Sequence, residues 1–256
     1  HVIDGTSYKA YKNAEKSLAS VIAPGRQHGD KLYLQYMGEN YSFADFFAAS
    51  DRFAVALRRD FGIRKGDHVA IAMRNRPEWL MAFVAIINLG AVAVPLNSWG
   101  RSEELQQGLT DGGAKLVVCD ADRLRFIRSA GNKLQAVVVE PDAKEDNSEL
   151  FWRLVESANI EDFQVVEVEP NDPAILLFTS GTSGRPKGAM FSQMNCAQSL
   201  MNVEFIGAAT YMTNTDTMNA LLANPIHPKT LFAVPLFHIS GLFSQSLISL
   251  RHGRGL

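Results

Sequence analysis

Between residues 68 and 139, short apolar runs rich in Val, Ile and Ala alternate with segments of helical periodicity, and this constrains the fold more than any other feature of the chain. The runs occupy residues 68–73, 91–94, 115–119 and 136–139; helices are predicted from Pro77, over 102–111 and after Asp120. The runs are apolar at successive positions rather than at every second one, so both faces of each strand must be covered. Strand and helix in regular alternation give parallel strands joined by crossover helices. The expected class is therefore α/β, with mainly parallel sheets flanked by helices.

Upstream, residues 32–37 and 39–42 read as two short strands joined near Gly38. Ser42 and Asp45 have capping-box spacing, and Phe43, Phe46, Phe47, Phe53, Ala54 and Leu57 recur at helical intervals until Gly62. The polar segment before them is expected to be helical. Residues 79–96 are apolar enough to raise the question of a membrane span, but Asn88, Gly90 and Pro95 interrupt them. Pro77 and Glu78 suit a first helical turn, so the reading is a core helix ending at Gly90 and then a buried strand, with no membrane span.

Composition adds exclusions. A formal charge of -2 without a basic block leaves no electrostatic footprint for nucleic acid or an anionic membrane. Cys119 and Cys196 form neither a disulfide framework nor a zinc pattern, which favours a reducing cytoplasm. The start, His1 to Thr6, has no initiator Met and no apolar stretch of a secretion signal, and reads as a processed end. Three regions are expected: 1–140, a first α/β subdomain; 141–173, a charged connecting segment with a surface loop near its start; and 174–256.

In the third region a buried strand at 174–178 runs into Thr179-Ser180-Gly181-Thr182-Ser183-Gly184-Arg185-Pro186-Lys187-Gly188. Four hydroxyls, three glycines and a lysine fall within ten residues. Glycines let successive N–H groups converge on one concavity, hydroxyls add donors of adjustable direction, and the lysine adds a mobile charge, a combination suited to a polyphosphate. The common P-loop places Gly before its Lys and Ser or Thr after it, whereas Lys187 sits between Pro186 and Gly188. Richness in Gly, Ser and Thr by itself better suits a solvated surface loop. A helix over 193–205, capped by Ser192, and a strand over 231–234 leading to Pro235-Leu236-Phe237-His238 complete the pass. Read alone, His238 is a hydrogen-bonded residue at the edge of a core, and Phe237 and Phe243 suit either a pocket wall or that core.

The order of residues 179–188 closely resembles the phosphate loop of the adenylate-forming superfamily, which includes acyl-CoA and aryl-CoA synthetases, luciferases and adenylation domains. Pro235-Leu236-Phe237-His238-Ile239-Ser240-Gly241 resembles the family segment where the acyl pocket meets the nucleotide. The stretches 66–70, 75–78 and 90–97 are similar to its first subdomain. The resemblance implies an incomplete N-terminal domain of an adenylate-forming enzyme, an AMP-forming acyl-CoA synthetase by preference. It implies activation of a carboxylic acid, by preference a fatty acid, with ATP and then transfer to CoA. It assigns Thr179, Ser180, Gly181, Thr182, Ser183, Gly184 and Lys187 to ATP phosphates, Lys187 and His238 to the catalytic set, His238 also to substrate orientation, and Thr179 to Mg2+.

Tyr-Gly-x-Thr-Glu and Thr-Gly-Asp, which complete related enzymes, do not occur in the sequence, and Pro228-Lys229-Thr230 is a decoy for the C-terminal catalytic lysine. The expectation is a portion inactive alone that exposes apolar surface, a surface open to dimerisation. The alternatives are a nucleotide-binding or scaffold fragment without catalysis, or an aryl-acid or luciferase-type adenylating enzyme.

Overall fold

A computed structural model describes residues 2–3, 5–140, 142, 147–179, 186–223 and 229–256. After a two-stranded ribbon, β1 (Val2–Ile3) and β2 (Thr6–Ser7), the expected N-terminal helix is absent over residues 8–17. Helix begins only at α1 (Leu18–Ile22), where buried apolar residues first recur and Ser17 accepts from the Ser20 N–H. A 3-10 turn, Ala23–His28, leads to the hairpin β3 (Leu32–Tyr36) and β4 (Glu39–Ser42). The capping box at Ser42 forms as expected, the Asp45 N–H donating to Ser42 Oγ and the Ser42 N–H to Asp45 Oδ2, both at 3.0 Å. It starts α2 (Phe43–Asp60), which buries Phe43, Phe46, Phe47, Phe53 and Leu57.

The alternating run then builds a parallel sheet. Its elements are β5 (His68–Ala72), α3 (Pro77–Asn88), β6 (Val92–Pro95), α4 (Ser102–Asp111), β7 (Leu116–Cys119), α5 (Ala121–Ser129) and β8 (Ala136–Val138). All twelve residues of α3 are buried, which explains why its sequence is apolar on every side. Gly90 ends that stretch at φ +65°, and a Cβ there would stand 2.8 Å from Val168 Cγ1, so both the turn and the close approach of the later chain require glycine. The segment expected to be merely connecting contributes β9 (Ser148–Leu150) and α6 (Phe151–Ser157). Phe151 of α6 packs on Phe53 of α2 with ring centroids 4.4 Å apart.

The chain continues through β10 (Pro173–Thr179), β11 (Lys187–Ser192), the long α7 (Gln193–Thr213), α8 (Thr215–Leu222), a π-helical segment Ser240–Leu247 and α9 (Ile248–His252). The main sheet has the order β11-β10-β6-β5-β7-β8-β9, parallel throughout except for the antiparallel pair β10–β11. Strands from both sides of residues 141–173 therefore share one sheet. Alternate residues sort its two faces. Val69, Ile71, Ala93, Val118, Val137 and Ile175 join the core under α2 and α3, while Ala70, Ala72, Val94, Val117, Cys119 and Val138 join the core under α4 and α5.

Two sequence expectations are corrected. Residues 231–234 are not a strand: Leu231 is 96% exposed, and no strand pairs with them. An apolar run makes a strand only where a ladder accepts its backbone, and here the side chain of Asn75 takes that role. Conversely, residues 187–192, where no strand is expected from the sequence, form β11. Among the described residues no helix is long and apolar enough to cross a membrane.

Candidate functional site

In a parallel sheet all carboxyl ends lie along one edge, and the helices that follow them leave a crevice there. Along this edge stand residues 74–76 after β5, 97–99 after β6, Asp120 after β7, Glu140 after β8 and Thr179 at the end of β10. Much of the polar chemistry is internally balanced. Arg76 pairs with Glu78 at 2.9 Å and with Glu140, Glu140 accepts the Ala121 N–H at 2.8 Å, and Trp152 donates to Glu78 at 3.1 Å. Burial alone would lower the Arg76 pKa; the two carboxylates reverse that and hold it above its ordinary value. Asp120 caps α5, accepts the Arg74 N–H at 3.0 Å and pairs with Arg123 at 3.0 Å. These charges brace the crevice and leave little capacity for a ligand.

A cleft of about 240 Å³ opens beside them, between the ends of β6 and β10 and one side of α4. Thr179, Pro186, Phe178, Trp99, Phe237 and His238 are among its walls, with the carboxylates of Glu104 and Asp111 from α4. Two residues singled out in the sequence, Thr179 and His238, thus meet although 59 positions separate them. Lys187 is the cross-strand partner of Thr179 in the β10–β11 pair, and Thr179 Oγ1 donates to the Lys187 carbonyl at 3.4 Å. Its side chain is exposed and is not among the cleft walls. Ser180, Gly181, Thr182, Ser183 and Gly184 lie outside the described residues. Gly188 is a close approach: a Cβ would stand 2.9 Å from Leu176 Cδ1.

His238 is exposed at the head of a tight turn, where its N–H donates to the Pro235 carbonyl at 3.2 Å and its own carbonyl accepts the Leu242 N–H at 3.0 Å. A side chain at Gly241 would collide with the Pro235 carbonyl oxygen, so the Pro-Leu-Phe-His-Ile-Ser-Gly order carries its own steric requirement. The structure separates the two phenylalanines left open by sequence. Phe243 is 2% exposed in the core, whereas Phe237 lines the cleft. Phe237 lies on His238 with centroids 4.3 Å apart and meets Trp99 edge-on at 5.4 Å. The Arg74 guanidinium sits 5.0 Å from the Trp99 ring. Trp99 was not singled out in the sequence; its position just beyond a strand carboxyl end, in the tetrapeptide Asn97-Ser98-Trp99-Gly100, was the available signal. A second, larger cavity of about 350 Å³ lies between β3, the start of α3 and residues 229–232, and holds none of the candidate residues.

For magnesium, the fit rests on donor chemistry: Thr179 offers a neutral, exposed hydroxyl oxygen, a hard donor suited to supplement phosphate and water. Among the described residues no group of three or more His, Cys, Asp or Glu side chains is placed to hold a metal ion.

A parallel sheet with a cleft at its carboxyl edge, walled by Thr179 and Pro186 at the two ends of a Gly/Ser/Thr-rich sequence, defines an α/β nucleotide-handling class. Comparison with known proteins identifies which one: residues 23–256 match the family described as AMP-binding enzyme, and the chain belongs to that family. It is 31% identical over 226 residues to an oxalate–CoA ligase of Arabidopsis thaliana, covering 88% of this chain and 41% of that protein. To a medium/long-chain-fatty-acid–CoA ligase of Mycobacterium tuberculosis it is 26% identical, covering 93% of this chain and 37% of the other. Among solved structures, an anthranilate–CoA ligase in complex with anthranoyl-AMP superimposes with a TM-score of 0.78 at 18% identity, covering 97% of this chain and 45% of that one, a likeness of fold. The chain spans about two fifths of the length of the curated relatives it matches, corresponding to their N-terminal part.

Proposed function

We propose that this chain supplies the phosphate-gripping loop and part of the acyl site of an AMP-forming acid–CoA ligase that activates a carboxylic acid. The observation that carries the reading is the meeting of Thr179 and His238 in one cleft at the carboxyl edge of the sheet. A carboxylate oxygen attacks the α-phosphorus of ATP and pyrophosphate leaves; the CoA thiol then attacks the acyl carbon and AMP leaves. The first step concentrates negative charge on the transferring and departing phosphates, which fixed N–H, hydroxyl and ammonium groups stabilise. Thr179, Ser180, Gly181, Thr182, Ser183 and Gly184 provide donors and Lys187 the cation. His238, backed by Phe237, orients the carboxylate. Magnesium, held in part by Thr179, would neutralise phosphate charge.

The matched relatives act on oxalate and on fatty acids by their names, so the acid is read from the wall chemistry. Trp99, Phe178 and Phe237 form an apolar wall that an alkyl chain or an aryl ring would contact, in keeping with a fatty or aromatic acid. The test is ATP–pyrophosphate exchange by the full-length protein over a panel of alkyl, aryl and dicarboxylic acids. Lys187→Ala and His238→Ala are each expected to lower the exchange rate about 100-fold or more. Undiminished exchange in both variants overturns the reading.

A further inference from the structure

We propose that Asn75 is a positioning residue for His238, an inference that rests on the role given to His238 above. Asn75 follows β5, the fourth of the seven strands, and its side-chain amide is used on both sides. Nδ2 donates to the Val234 carbonyl at 2.8 Å, and Oδ1 accepts the Leu236 N–H at 2.9 Å. One amide thereby pairs with the donor and acceptor of alternate residues, as a neighbouring strand would, and fixes the register of a segment that no strand holds. His238 follows two residues later, tied by its N–H to Pro235 between the two anchored positions.

Asn75 is itself held firmly. The Arg74 N–H is bonded to Asp120 after β7 and the Arg76 side chain is ion-paired to Glu140 after β8, so the residues on either side of Asn75 are tied to separate parts of the sheet. Arg74 also reaches the same segment by a second route, through Trp99 to Phe237, whose ring lies on the imidazole. The backbone clamp sets where His238 stands, and the aromatic contact sets which way its ring faces. Groups on a central strand transmit little positional freedom, and a reacting group displaced by about 1 Å loses on the order of 100-fold in rate.

Two measurements test this. In the chain labelled with 13C-histidine, Asn75→Ala is expected to shift the His238 ring resonance and leave those of His28, His68 and His252 in place. In full-length protein, Asn75→Ala is expected to lower the ATP–pyrophosphate exchange kcat by about 100-fold, with KM for ATP changed less than about twofold. It is expected to cost nothing further in a His238→Ala background. Asn75→Asp, isosteric and still able to accept from Leu236 N–H, guards against a variant that fails to fold; its expected shift and rate are intermediate. An unmoved His238 resonance in Asn75→Asp, or rate losses that multiply in the double variant, overturns the positioning role. If Asn75→Ala moves the resonance while His238→Ala leaves exchange intact, the structural tie stands and the assignment of His238 to the reaction fails.

Discussion

Asp172 shows how a single carboxylate ties the hairpin region to the rest of the sheet. Its Oδ2 pairs with Lys65 at 2.7 Å and accepts the Glu169 N–H at 2.6 Å; these contacts, the Lys65 bond foremost, hold its pKa below the ordinary 3.8. A depressed carboxylate contributes stability that is present above its unfolded pKa and is lost as pH falls through the folded value. Because the two side chains are 42% and 26% exposed, solvent screens the pair. Asp172→Asn is therefore expected to cost at most about 1 kcal/mol at neutral pH, with the difference from the parent shrinking in urea titrations as the pH is taken below the ordinary carboxylate range. At this scale the sequence was informative where order carried chemistry and uninformative where long-range pairing did. Thr179 and His238 were identified from their motifs, and the cleft contains both. Asn75 enters only within the stretch 75–78 that resembles the family's first subdomain, with no role of its own, since a bond to Val234 and Leu236 has no local trace in the chain. Phe237 and Phe243 have the same composition and neighbourhood type, and only packing separates wall from core.

Among the elements, α3 was the most legible, because a helix buried on all sides must be apolar on all sides and its ends were marked by Pro77 and Gly90. Phe83, wholly buried and stacked on Trp79 at 5.5 Å, lies in the middle of that helix. Phe83→Ala is expected to destabilise the fold by about 3–5 kcal/mol, read from the denaturant midpoint at unchanged slope. The strands of the parallel sheet were legible for a related reason: both faces are covered, so their sequences are continuously apolar. The edge strand β11 is not covered on both sides, and Lys187-Gly188-Ala189-Met190-Phe191-Ser192 accordingly lacks that signal. Residues 231–234 carry the signal without the ladder. Apolar content reports burial demand, whereas strand formation also needs a partner at the right place, and the latter is settled by the rest of the fold.

For the molecule as a whole, the bracing charges at the carboxyl edge matter more than the number of surface pairs. Arg76 joins the ends of β5 and β8 through Glu78, whose side chain is 5% exposed, and Glu140. Replacing Arg76 by Met strands the Glu78 carboxylate in the interior with only the Trp152 indole as donor. The expected loss is about 3–5 kcal/mol, and Arg76→Met/Glu78→Gln is expected to recover much of it, a contrast measurable by equilibrium urea unfolding. The sheet class was readable from alternation alone, but its strand order was not, because crossover direction is decided by helix packing on two faces.

The placement of the two proposed reactive groups in that order has a mechanical consequence. Lys187 belongs to the outermost ribbon, hydrogen-bonded to the sheet on one side, whereas the tether of His238 descends from an inner strand flanked on both sides. In the proposed reaction the rim would flex toward a triphosphate at small energetic cost, while the imidazole would keep its station. The protein thus divides labour between a compliant jaw and a fixed anvil.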